Sequence, residues 1–108
     1  MKKFHIALSV SDLDASIKDY SQRLGLQPTL VVENHYALWR TDCLNVSLRV
    51  DSNQVPGNLR HLGWEDSTAE AFSHEEDVNG VVWERFTAQQ QAEEINELWP
   101  QADYHIND

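Results

Sequence analysis

The run Phe4-His5-Ile6-Ala7-Leu8-Ser9-Val10 alternates strictly, with Phe4, Ile6, Leu8 and Val10 on one face and His5, Ala7 and Ser9 on the other. That period of two marks a strand with one greasy face and one small, polar face. Asp12 then stands where a helix N-cap belongs, and Leu13, Ile17, Tyr20 and Leu24 follow at helical spacing. Gly25 is a natural stop for that helix, and Pro28 prevents its continuation. Residues 29–33 read as a second strand, Asn34-His35 as a turn and Tyr36–Arg40 as its hairpin partner. After Thr41-Asp42, Leu44–Val50 alternates cleanly, so residues 3–50 read β-α-β-β-β.

Residues 51–58, with Pro56-Gly57, form a polar linker. Beyond it Arg60-His61-Leu62-Gly63-Trp64 echoes Phe4-His5-Ile6-Ala7-Leu8: a histidine, an aliphatic, a small residue, a large apolar one. The echo points to an internal repeat whose second copy is short. Ser67-Thr68-Ala69-Glu70 has the form of a capping box, predicting a helix to about Glu76. Asn79-Gly80 reads as a turn and residues 81–86 as a strand. Thr87 can cap a final helix at Ala88–Leu98, ended by Trp99-Pro100, and Tyr104-His105-Ile106 reads as a short edge strand. The expectation is an α+β fold, one domain over residues 1–108. It comprises a βαβββ module at 3–50, a truncated βαβ module at 59–86, and a C-terminal helix and tail at 87–108.

Composition narrows the function more than the fold. With 18 acidic against 8 basic residues the net charge is −10, which repels nucleic-acid phosphates and anionic membranes. No run has the length and apolarity of a membrane span, and no apolar segment follows Met1, so the expected location is cytoplasmic. Cys43 alone cannot form an internal disulfide and reads as a small hydrophobe beside a turn. Four tryptophans are many for 108 residues, and either a core or an aromatic-walled pocket accounts for them.

Candidate chemistry begins with Glu84, a carboxylate set among Val81, Val82, Trp83 and Phe86. Either it faces water from an edge or a cavity needs its anionic oxygen. His5 with Ala7 and His61 with Gly63 each leave room beside a strand histidine, although a lone strand histidine is ordinarily just a satisfied residue. Asn45, Ser47 and Arg49 share one face of their strand.

His5, the Val10-Ser11-Asp12-Leu13-Asp14-Ala15-Ser16 helix start, Tyr20 and Leu24-Gly25 together resemble the vicinal oxygen chelate superfamily. That group includes glyoxalase I, extradiol dioxygenases, and fosfomycin- and bleomycin-resistance proteins. His61-Leu62-Gly63 resembles its second metal-ligand strand. The run 77–86, DVNGVVWERF, is similar to its final Asp-Pro-Asp-Gly-Asn-x-Trp-Glu-x-Phe motif, with Val78 for the proline and Asn79 for the second aspartate. The resemblance covers about residues 4–65 and 77–86, with the middle hairpin of the second module missing. It implies that His5, His61 and Glu84 hold one divalent metal ion (Fe, Mn, Zn, Ni or Co), and that Asn45 or Ser47 stands where a glyoxalase offers a glutamate. It implies lyase, isomerase or dioxygenase chemistry on a small bidentate oxygen substrate, with Tyr36, Trp39, Asn45, Arg49 and Trp64 as pocket candidates. The alternative is a non-catalytic, drug-sequestering protein of the bleomycin-resistance type. A half-sheet missing strands also predicts a homodimer.

Overall fold

A computed structural model describes residues 1–107. The chain forms β1 (Lys2–Val10), α1 (Leu13–Leu24), β2 (Leu30–Val32), β3 (Tyr36–Arg40), β4 (Leu44–Val50), β5 (Leu59–Asp66), β6 (Ser73–Glu76), β7 (Val82–Phe86) and α2 (Ala88–Leu98), then a 3₁₀ turn at Pro100–Ala102. The fold is α+β: a mixed seven-stranded sheet in the order β2-β3-β4-β1-β5-β7-β6 and two helices. Among the described residues no helix is long and apolar enough to cross a membrane.

Local chemistry sets the first module as its sequence predicts. Asp12 caps α1 by accepting from the Ala15 N–H, and Gly25 closes it at φ 77° in the left-handed region. The greasy faces of β1 and β4 then receive α1: Val10, Leu13, Ala37, Trp39, Val46 and Leu48 form one core layer. On the opposite face of the same sheet, Val32, Tyr36, Leu38, Ala92, Ile95 and Tyr104 form a second layer under α2. Thr87 and Gln90 make the reciprocal capping box that starts α2.

The second module departs from its prediction. No helix forms over 67–76. Asp66 accepts hydrogen bonds from both the Thr68 N–H and the Thr68 hydroxyl, and from Arg85, so the supposed capping residues are bound in a turn instead. The charged run Ser73–Glu76 is an exposed edge strand paired with β7, which charge protects from further pairing. Module two is therefore β-β-β, not βαβ. What is missing relative to module one is the helix and one strand, not a whole hairpin. The parallel β5–β7 pair still mirrors the parallel β1–β4 pair, and β6 on β7 mirrors β3 on β4.

Three smaller expectations also change. Tyr104-His105-Ile106 is not a strand; Tyr104 is tied by its backbone to the Asn96 side chain and packs under β2 and β3. Cys43 is exposed rather than packed. His74, expected in a turn, lies on β6 opposite Glu84 with an exposed side chain.

Candidate metal centre

The centre sits where the two modules meet. β1 and β5 pair antiparallel, with His5 opposite Gly63 and Ala7 opposite His61. Each histidine thus faces the small residue of the other strand, which frees the space between them. His5 Nε2 and His61 Nε2 approach to 2.9 Å, and Glu84 Oε1 lies 2.9 Å from His61 Nε2. Glu84 reaches this point because β7 runs parallel to β5 with Glu84 paired to Gly63. Gly63 is required there: a Cβ on it would run into the Glu84 backbone. The three ligand atoms lie within 4.8 Å of one another.

The state of His5 follows from its neighbours. Arg40 grips Glu65 through two parallel hydrogen bonds, Nε to Oε1 at 2.8 Å and Nη2 to Oε2 at 2.9 Å. Burial pushes the Glu65 carboxyl up, but the hydrogen bonds from Arg40 and Asn45 outweigh it and hold Glu65 below its ordinary range. A carboxylate only accepts, so Asn45 must turn Nδ2 toward Glu65, at 2.9 Å. Its Oδ1 then faces His5 Nδ1 at 2.9 Å, and the Asn45 carbonyl lies 3.1 Å from the same nitrogen. Both partners accept, so Nδ1 carries the proton and Nε2 presents a bare lone pair to the centre. Gln91 of α2 completes the arrangement with an amide pair to Asn45. Burial first, and then His61, push the pKa of His5 down to about 4. At neutral pH it is the neutral imidazole that a metal requires. Phe86 closes the other side, edge-on to His5 at 4.9 Å and stacked on Phe72.

The donor set tests well against a divalent ion. Two imidazole nitrogens and one carboxylate oxygen converge, while His61 Nε2 has at most one proton to share between two acceptors. A cation placed there would satisfy all three lone pairs together. Ligands of this type suit Zn or first-row transition ions.

A cleft with about 360 Å³ of void, its open mouth included, lies over the triad. Of the pocket candidates, Tyr36 and Arg49 line it, beside Ser47, Arg60, Glu94 and Trp99. The other pocket candidates fall elsewhere. Trp39 is fully buried on the α1 face, donating to the Leu26 carbonyl at 3.1 Å. Trp64 lies on the face away from the triad, edge-on to Phe4 and beneath Lys2. Asn45 belongs to the centre but stands behind His5 rather than in the cleft. The tryptophans therefore form no common wall; Trp99 alone of them lines this cleft, against Tyr36 and Arg49.

Ser47 occupies the place in module one that Glu84 occupies in module two, since Ser47 pairs with Ala7 as Glu84 pairs with Gly63. It offers a hydroxyl to Tyr36, whose own phenol burial pushes well above its ordinary pKa. Burial pushes Glu94 up, with Glu84 adding to the shift, and burial together with Arg49 pulls Arg60 down.

Sequence reasoning missed Arg60, Glu65, Gln91 and Glu94. Glu65 was visible by parity, two residues past Gly63 on the same face. Gln91, Glu94, Ile95 and Leu98 repeat at the three- and four-residue spacing of one helix face. Arg60 was not visible, because a β-bulge puts it there: Ala7 pairs with His61 but Leu8 with Leu59, leaving Arg60 as the extra residue. Compared with known proteins, the chain matches no family model and no curated sequence.

Proposed function

We propose that His5, His61 and Glu84 hold one divalent metal ion and that the chain acts on a small substrate with two neighbouring oxygens, as a lyase, isomerase or dioxygenase of vicinal oxygen chelate type. The observation that carries this reading is the convergence of three ligand atoms on one point with the His5 tautomer fixed from behind. The mirrored parallel pairs β1–β4 and β5–β7 around a central β1–β5 seam support it further, because they relate His5 to His61 as the repeat requires.

Bound there, the ion supplies Lewis acidity toward an oxygen-donor substrate. The chain's own residues do the rest. With three protein ligands an ion would keep part of its coordination shell for water or substrate, and Ser47 stands where a fourth carboxylate would otherwise be. α2 shields the centre through Gln91 and Ile95, while Phe72 and Phe86 exclude water beside His5. The drug-sequestering alternative draws less support, since the two arginines in the cleft oppose a cationic ligand, although Glu94 and the rings of Tyr36 and Trp99 share its lining. The homodimer stays part of the proposal: module two has no helix over Phe4, Trp64 and Trp83, and a second copy would cover them.

Water-proton relaxation of the Mn²⁺-loaded protein tests the open positions. Enhancement that catechol reduces is expected. Bound Mn²⁺ without enhancement would mean a closed, structural site.

A further inference from the structure

The arginines of the chain divide into two groups. Arg23 holds Asp19, Arg40 holds Glu65, and Arg85 holds Asp66, each with a nitrogen within 3.0 Å of a carboxylate oxygen. Arg49 and Arg60 hold none. Among the described residues neither guanidinium has a hydrogen bond or a salt bridge, although acidic residues outnumber basic ones by 18 to 8. Both line the cleft over the triad. Placing two partly desolvated guanidiniums near each other is unfavourable, and a bulge in β5 is what turns Arg60 into the cleft beside Arg49. The ring of Trp99 lies 5.3 Å from the Arg49 guanidinium carbon and restrains it. Glu94 lies in the same lining and senses both charges, yet makes no ion pair with either.

We propose that Arg49 and Arg60 form an oxyanion subsite beside the His5–His61–Glu84 centre, so that the substrate carries a carboxylate, phosphate or phosphonate group in addition to its chelating oxygens. Guanidinium forks match such planar or tetrahedral oxyanions and lose less hydration on doing so than an ammonium would. In a chain of net charge −10 the two guanidiniums give an anion a local foothold, opposed in the same cleft by Glu84 and Glu94. Its position relative to the chelating end rests on the metal-site reading; the anion affinity does not.

The experiment is a calorimetric titration of the Mn²⁺-loaded protein with malate and with lactate, which share an α-hydroxy-carboxylate end and differ by one carboxylate. Malate should bind about tenfold or more tightly than lactate. Arg60→Gln and Arg49→Gln should each erase that preference with Mn²⁺ affinity unchanged, Arg60→Lys should keep part of it, and Glu94→Gln should increase it. Arg49→Gln, distant in sequence from the triad, carries the test if Arg60→Gln perturbs the adjoining His61. Equal affinity for the two acids, or a preference that survives both glutamine variants, overturns the subsite. If the protein takes up no Mn²⁺, the metal reading fails and inorganic phosphate on the metal-free chain decides this one. Binding lost in both arginine variants upholds it, and no binding, or binding indifferent to them, refutes it.

Discussion

Modules one and two present the same strand pair to the centre but supply different chemistry. Module one contributes a histidine locked from behind by Asn45, and in the position symmetric to a ligand it places only Ser47. Module two contributes His61 and Glu84, with Gly63 between the strands where module one has Ala7. The scaffolding differs in the opposite sense: module one has a helix and four strands, and module two has three strands and no helix. The smaller half carries the only carboxylate of the triad. The parallel pair in each half is what brings the three side chains together, and module two keeps that pair without the helix that packs against it in module one.

Adding a methyl group to each half's small residue, or removing one, tests that dependence most severely. Gly63→Ala drives a Cβ into the Glu84 backbone and should cost about 3 kcal/mol or more, toward the upper end for overpacking. Ala7→Gly, its counterpart in module one, should cost only about 1 kcal/mol. Thermal or urea unfolding of the two variants reads the contrast, and similar costs would show that the halves are packed alike.

The histidine of module one also gives the fold a pH dependence. The His5 pKa is about 4 in the native chain against 6.5 ordinarily. Between those values the unfolded chain binds a proton that the native chain refuses, so stability is full above pH 6.5 and falls as the pH drops toward 4. The loss should approach roughly 3 kcal/mol for the metal-free protein. His5→Gln should flatten the slope in an unfolding series from pH 7 to 4. A slope that persists in the variant would assign the effect elsewhere.

Much of this architecture is legible in the chain because it rests on local signals. Asp12, Gly25, Thr87 and the alternation of 4–10 and Leu44–Val50 each specify their element without help from distant residues. Strand parity and the neighbouring small residues single out the two histidines in the same local way, whereas Glu84 joins them only through the resemblance of residues 77–86 to a family motif; the fold brings the three side chains together. The misread helix at 67–76 shows the limit. Ser67-Thr68 has the composition of a cap, but Asp66 one position earlier draws the Thr68 N–H and hydroxyl into a turn, and Arg85 from β7 reinforces it. Arg60 shows another, because a bulge is set by pairing with β1 and leaves no local trace. Trp39 and Trp64 were misassigned by residue type, although their parity, opposite to that of Leu38 and Gly63, already assigned them to the other face.

Asn45 offers a finer probe, since only module one supports its ligand this way. Asn45→Ala frees the His5 tautomer and strands Glu65 and Gln91, so metal affinity should drop about 10- to 100-fold. A competitive chelator titration measures it, and an unchanged affinity would remove Asn45 from the account.

The most direct test compares the symmetric pair themselves. Zn²⁺ titration of EDTA-stripped wild type, Glu84→Ala and Ser47→Ala should give one tightly held ion in the wild type and in Ser47→Ala. Glu84→Ala should bind at least about a hundredfold more weakly, as expected for losing one of three protein ligands. Equal affinity in all three proteins, or no metal bound by the wild type, would contradict a centre built from His5, His61 and Glu84.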